Sequence, residues 1–194
     1  MIQIWKIFSI LILPFFFPLF SLYTFATGIK RRGIAHHFGI VPCIDGDPLV
    51  QKKTLWLFAL SVGELGAAIP VLETIHRKRP DVRIVVSVST DAGYDVACKK
   101  LSFVKAVFFN PIDLWPLPWI AAKNIRPDIF VVTETGFWPG QLHAMTKLGV
   151  PCLLFQGRIS DKTMRRYRKV ISWAGNLLDQ FEYLGMQSED GRQG

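Results

Sequence analysis

The chain has 194 residues, enough for one sizeable domain with an appendage but too few for two complete domains. Half of the residues are hydrophobic, and the formal net charge of +8 favours an anionic partner, either a membrane surface, a phosphorylated ligand or nucleic acid. The three cysteines are far apart and form no CxxC pair, which argues against a zinc site.

The excess of hydrophobic residues lies at the N-terminus. No charged side chain occurs from Ile7 to Ile29, a stretch longer than the roughly 20 residues that a membrane-crossing helix needs. Lys30, Arg31 and Arg32 follow at once, whereas only Lys6 precedes. This asymmetry predicts a membrane anchor over residues 1–32 with the rest of the chain in the cytoplasm. Pro14 and Pro18 also permit a kinked span or a helix lying partly in the interface. A cleaved signal peptide is the other alternative, with small residues at 26–28 as its cleavage site.

Residues 33–53 are rich in Gly, Pro and Asp and are interpreted as a linker. From residue 54 to residue 194, short apolar runs alternate with helical stretches, which is typical of a parallel sheet with helices on both faces. The predicted fold class is therefore a Rossmann-like α/β domain. The predicted strands are 55–60, 84–89, 104–109, 129–133 and 151–155, and the predicted helices are 62–78, 91–100, 118–123, 138–148 and 161–178.

Polar residues follow each predicted strand. In a parallel sheet these positions share the carboxyl edge, where ligands of such folds bind. The residues in question are Ser61, Gly63, Glu64, Thr90, Asp113, Glu134, Arg158 and Ser160. They form no spacing of His, Cys and carboxylates that predicts a metal site.

Ser61-Val62-Gly63-Glu64 supports two interpretations. It matches S-x-x-E, the capping box, in which Glu64 would reach back to the Ser61 amide. It also places a carboxylate at the ligand edge, where it could act as a general base. Gly63 would allow a ligand to approach the backbone. The residues alone leave both roles open.

Glu134 ends the fourth predicted strand, and Arg158 follows the fifth. They are expected either to form a simple ion pair or to share the site. The basic residues of 162–169 predict either a solvated helix face or a surface that contacts anionic lipid headgroups or a phosphorylated substrate. The fingerprints of dinucleotide-binding proteins, P-loop proteins and α/β-hydrolases are absent from the sequence.

Several of these segments occur together, and in the same order, in a known family. The chain resembles the N-terminal half of the 3-deoxy-D-manno-octulosonic acid (Kdo) transferases, membrane-associated GT-B glycosyltransferases. The segments that carry the resemblance are SVGE at 61–64, AAIP at 67–70, TDAG at 90–93, PIDL at 111–114, ETGFWP at 134–139, GRIS at 157–160 and QSED at 187–190.

The resemblance implies inverting transfer of Kdo from CMP-Kdo to the lipid A precursor, with no further cofactor. It assigns Glu64 as the proton acceptor and Glu134 as a transition-state stabiliser, with Ser61, Gly63, Thr90, Arg158 and Ser160 binding substrate. The implied partner is an anionic glycolipid at the cytoplasmic face of the bacterial inner membrane, not nucleic acid.

The chain departs from the family's usual residues at Phe58, Gly136 and Gln156, where the family has His, Glu and Asn. It also ends before the second Rossmann domain, which in GT-B enzymes holds the nucleotide-sugar donor. As written, the chain is expected to supply the acceptor side only and to be inactive alone. The alternatives are a non-catalytic membrane-anchored binding module and a related GT-B transferase with another acidic sugar or acceptor.

Overall fold

The computed structural model describes residues 2–27, 32–44, 52–133, 138–157 and 179–186. Helices and strands alternate through the α/β part, as the sequence predicts. The helices are α1 (Ile2–Thr27), α2 (Ile34–His37), α3 (Val62–Lys78), α4 (Asp91–Lys100), α5 (Leu117–Ile125) and α6 (Pro139–Lys147). The strands are β1 (Lys53–Ala59), β2 (Val82–Val88), β3 (Ala106–Phe109), β4 (Ile129–Thr133), β5 (Cys152–Gly157) and β6 (Phe181–Met186).

The six strands form one parallel sheet in the order β3-β2-β1-β4-β5-β6. The fold prediction is confirmed as a Rossmann-like parallel sheet, but the sequence predicted five strands and missed β6. Because the chain winds outward from β1 in both directions, the strand order reverses between β1 and β4. In open α/β sheets this reversal opens a crevice above the carboxyl ends of the two strands, and ligands bind there.

The central strand β1 buries both of its faces. Trp56 and Phe58 point to one side, where they pack with buried residues of α5 and α6. Leu55, Leu57 and Ala59 point to the other side, against buried residues of α3 and α4. This alternation follows from the two-residue period of a strand. It explains why β1 has a continuous apolar sequence and why helices cover both faces.

The N-terminal segment forms the predicted helix, with Pro14 and Pro18 inside it. Among the described residues, no helix combines the length and apolarity that crossing a membrane requires, so the predicted spanning anchor is not supported. Helix α1 contacts the α/β domain near its start, where Lys6 Nζ lies 4.3 Å from the centre of the Trp115 ring.

Part of the predicted linker is packed against the sheet. The backbone N–H of Phe109, at the end of β3, donates to His36 Nδ1 at 3.3 Å. His37 Nδ1 lies 3.1 Å from the carbonyl oxygen of Asn110. Burial lowers the pKa of His36, which favours the neutral ring that this hydrogen bond requires. The two histidines thus attach α2 to the outer strand β3.

Candidate active site at the carboxyl edge of the sheet

Strand β1 passes into α3 through a sharp turn at Ser61. Ser61 has an extended backbone (φ −127°, ψ 165°), and its hydroxyl accepts a hydrogen bond from the Glu64 N–H at 3.3 Å. It is therefore the N-cap of α3, as the capping interpretation predicts. The reciprocal bond differs from the expectation, because the Glu64 carboxylate accepts from the N–H of Leu60 at 2.7 Å rather than from that of Ser61.

The Glu64 carboxylate lies at the point where the strand order reverses. Its Oε2 accepts the Leu60 N–H and lies 2.8 Å from the Thr133 hydroxyl at the end of β4. Its Oε1 lies 3.2 Å from the Ser61 hydroxyl. The residue is only 8% exposed. Glu64 thus joins the ends of β1 and β4, where a ligand is expected to bind.

Gly63 and Gly66 leave open space on the surface of α3, the helix that carries Glu64. A Cβ atom built on Gly63 would have only the Ser61 hydroxyl near it, at 3.9 Å, and one on Gly66 would meet nothing within 4 Å. The surface of the first turn of α3 at Gly63 is therefore open, and the predicted contact of Gly63 with substrate stays a prediction.

Thr90 lies at the same edge, after β2. Its hydroxyl accepts the Gly93 N–H at 3.1 Å and caps α4. A Cβ on Gly93 would lie 2.9 Å from that hydroxyl, so glycine is needed for this close approach. The structure gives Thr90 a capping role, and its predicted contact with substrate stays a prediction.

Asp113, which follows β3, caps a helix that begins 26 residues later. Its carboxylate accepts the N–H groups of Gly140 and Gln141 at 3.0 and 2.6 Å, in the first turn of α6. No side chain caps this turn at the N-cap position Trp138. Burial raises the pKa of Asp113 to about 7, and the two N–H donors oppose the rise.

A buried polar network below this edge was missed by sequence reasoning. Trp56 Nε1 donates to the Ser87 hydroxyl at 2.8 Å, and that hydroxyl donates to Asn110 Oδ1 at 3.0 Å. Asn110 Nδ2 in turn donates to Gln141 Oε1 at 2.8 Å. The network links β1, β2 and the end of β3 to α6. The sequence feature that could have indicated this network is Ser87, an isolated serine within the apolar run of β2.

Two of the family departures lie within the described residues. Phe58 is buried, and its ring meets that of Trp138 edge-on at 5.0 Å between centres. Gln156 has a φ of 56°, in the left-handed region where asparagine is much better tolerated than glutamine. The backbone thus gives a physical reason for the family's usual Asn at this position.

Glu134, Gly136, Arg158 and Ser160 lie outside the described residues, as does the predicted helix over 161–178. The expected pairing of Glu134 with Arg158 therefore stays a prediction. In the part of the chain that the structure describes, no group of three or more His, Cys, Asp or Glu residues is arranged to hold a metal ion.

The family model described as 3-deoxy-D-manno-octulosonic-acid transferase (kdotransferase) matches residues 32–193. The chain belongs to the Kdo transferase family. The match includes every candidate site residue, from Ser61 to Ser160.

Three relatives illustrate how much of the chain is matched. A 3-deoxy-D-manno-octulosonic acid transferase of Rickettsia bellii is 26% identical over 97% of this chain and 44% of its own length. One from Haemophilus influenzae is 24% identical over 94% of this chain and 43% of its own length. A bifunctional glycosyltransferase/methyltransferase of Fusobacterium nucleatum is 30% identical over 75% of this chain and 23% of its own length. The chain thus spans less than half the length of these relatives.

Among solved structures, a Listeria monocytogenes protein described as a UDP-N-acetylglucosamine 2-epimerase has a similar fold. The TM-score is 0.50 with 10% sequence identity, over 73% of this Kdo transferase chain and 41% of that protein. At this identity the likeness concerns the fold alone.

Proposed function

We propose that this chain forms the acceptor side of an inverting Kdo transferase, with Glu64 as the general base. The proposal is carried by the position of Glu64, a buried carboxylate at the crevice between β1 and β4. Family membership supports the chemistry that we propose, in which Kdo moves from CMP-Kdo to the lipid A precursor in lipopolysaccharide biosynthesis. The donor would be bound mainly by a second domain of the GT-B fold.

In the proposed step, Glu64 takes the proton of the acceptor hydroxyl. The hydroxyl oxygen attacks the anomeric carbon of Kdo, the bond from that carbon to the CMP phosphate breaks, and CMP leaves with the bonding electrons. Attack opposite the leaving group inverts the anomeric configuration. A single carboxylate is sufficient as base here, because the leaving phosphate needs no proton from an acid.

Gly63 supports this role because the helix surface beside it is open for the acceptor. We propose that Ser61 and Thr90 contact the acceptor from the same edge. Arg158 and Ser160 are proposed to bind substrate, and Glu134 to stabilise the transition state.

A glycolipid acceptor also requires contact with a membrane. Helix α1 exposes an apolar stripe at three- and four-residue spacing, so that these side chains share one face. Its members are Ile7, Leu11, Phe15, Leu19 and Leu22, all more than half exposed. We propose that this stripe lies on the cytoplasmic face of the bacterial inner membrane, and the net charge of +8 favours its anionic lipids.

Flotation with vesicles of anionic phospholipid tests the membrane proposal. The double substitution Leu11→Glu with Phe15→Glu should move the protein from the vesicle fraction to the soluble fraction, because it places two charges in the apolar stripe. Ile40→Glu is the matched control, since Ile40 is 64% exposed but lies outside α1. Equal flotation of all three proteins would refute the role of the stripe.

The transfer proposal is tested by turnover of CMP-Kdo with the lipid A precursor, using the protein encoded by the complete reading frame. Glu64→Gln keeps the side-chain shape but removes the base. Turnover should fall about 10²- to 10⁴-fold. Glu73→Gln is the control, because Glu73 is exposed on the same helix, and it should keep normal turnover. Acceptor binding without turnover by the unmodified protein would favour a non-catalytic binding module instead.

A further inference from the structure

We propose that Thr133 is a positioning residue for Glu64 and that it makes Oε1 the oxygen that takes the acceptor's proton. This inference rests on the proposed function, since it assigns a role within the same site. It concerns a hydroxyl that the sequence pattern did not single out, because Thr133 ends an apolar strand.

The two oxygens of Glu64 are held differently. Oε2 accepts the Leu60 N–H at 2.7 Å and the Thr133 hydroxyl at 2.8 Å. Within the described residues, Oε1 receives one longer hydrogen bond, from the Ser61 hydroxyl at 3.2 Å. Oε2 therefore already accepts two short hydrogen bonds. Oε1 has more capacity left to accept a hydrogen bond from a further donor.

Thr133 is well placed to fix the carboxylate. It is 3% exposed and lies on β4, which pairs directly with β1. Its hydroxyl also lies 3.1 Å from the carbonyl oxygen of Phe58 on β1, so its single proton has two acceptors. A β-branched side chain has few rotamers, and the strand that carries Thr133 is paired on both sides, with β1 and β5. The hydroxyl therefore restrains Oε2 from a rigid part of the sheet.

This arrangement determines which oxygen of Glu64 takes the proton of the acceptor hydroxyl. With Oε2 held by Thr133 and Leu60, the carboxylate cannot turn freely, and Oε1 faces the approaching hydroxyl. The acceptor's proton moves to Oε1 as its oxygen forms the new glycosidic bond. Loss of the Thr133 hydroxyl would let the carboxylate rotate and would lower the fraction of bound complexes in a reactive arrangement.

The test compares steady-state turnover of CMP-Kdo and the lipid A precursor by variants of the protein from the complete reading frame. Thr133→Val keeps the shape but removes the hydroxyl, and kcat should fall roughly tenfold to a hundredfold while KM for both substrates stays within about twofold. Thr133→Ser restores the hydroxyl and should recover most of kcat. Thr54→Val is the matched control, a buried threonine at the opposite end of β1, and should leave kcat unchanged.

The choice between the oxygens has its own test. Ser61→Gly removes the hydroxyl beside Oε1 at a capping position where glycine is tolerated. If Oε1 is the reactive oxygen, this change should lower kcat less than Thr133→Val does. Because Ser61 is also proposed to contact the acceptor, loss of that contact should appear in KM. A larger loss of kcat with Ser61→Gly than with Thr133→Val, at unchanged KM, would overturn the assignment of Oε1.

The inference can fail separately from the proposed function. If Glu64→Gln abolishes turnover but folded Thr133→Val keeps normal kcat, the general base stands and the role of Thr133 is refuted. If Glu64→Gln keeps normal turnover, both are refuted. Should Thr133→Val not fold, Thr133→Ala provides the same comparison with Thr133→Ser. In a Glu64→Gln background, Thr133→Val should have no further effect, and an additional loss there would contradict action through Glu64.

Discussion

Replacing Asp113 by Asn should change how the stability of the domain depends on pH. Asp113 caps α6 across space, and burial raises its pKa to about 7, compared with the ordinary value of 3.8. A carboxyl whose pKa is higher in the folded than in the unfolded state contributes stability that is fully present below pH 3.8. That contribution is lost as the pH rises to about 7.

The size of the effect follows from the two pKa values. Each unit of difference corresponds to about 1.4 kcal/mol, so the contribution of Asp113 falls by about 3 kcal/mol between pH 4 and pH 7. The Asn variant has no such titration. Like the protonated carboxyl, it keeps one strong acceptor oxygen for the N–H groups of Gly140 and Gln141, so the pH dependence of the comparison comes from the ionisation of Asp113. The quantity to measure is therefore the difference in free energy of unfolding between the two proteins, and how steeply it changes with pH.

Urea unfolding followed by tryptophan fluorescence measures this slope between about pH 4.5 and pH 7.5. The free energy of unfolding of the unmodified chain, minus that of Asp113→Asn, should decrease steadily as the pH rises. Asp81→Asn is a suitable control, because the ion pair with Arg79 lowers the pKa of Asp81, and its titration lies below this range. A difference for Asp113→Asn that does not change with pH would contradict a raised pKa of Asp113 in the folded chain.

Three further substitutions test the backbone around the site by thermal or urea unfolding. Gly66→Ala should stabilise the chain by roughly 0.5–1 kcal/mol, because the position is exposed within α3 and a Cβ there would meet no atom within 4 Å. A loss of stability would contradict the open space at this position. Gly140→Ala should cost about 1–3 kcal/mol, since its Cβ would lie 2.9 Å from Asp113 Oδ1 and 3.1 Å from the Asp113 carbonyl oxygen. Unchanged stability would contradict that close approach. Gln156→Asn should stabilise by about 0.5 kcal/mol, because its φ is 56°, and a destabilising effect would argue against backbone strain there.

Much of the α/β core was predictable because its periodicity is strong. The bounds of α3 and β4 agree with the prediction to the residue. Strand β6 was missed because Phe181–Met186 contains a glutamate and a glycine, which weaken a strand pattern. Its pairing with β5 is also irregular in register. Such a strand gains its structure from its neighbour rather than from its own sequence.

The candidate site was predictable only in part. The cap at Ser61 and the placement of Glu64 in the first turn follow from local sequence, because the S-x-x-E spacing lies within one turn. The contact of Glu64 with Thr133 joins residues 69 positions apart and requires that β1 and β4 be neighbours. The cap that Asp113 provides for α6 likewise depends on the tertiary fold. Local patterns cannot reveal either contact.

The central claim is that Glu64 is the general base of a Kdo transferase. The most direct measurement is the turnover number of Glu64→Gln with CMP-Kdo and the lipid A precursor, compared with that of Glu73→Gln in the same protein. We expect a loss of at least about 10²-fold for the first variant and normal turnover for the second. Normal turnover by a correctly folded Glu64→Gln protein would contradict it.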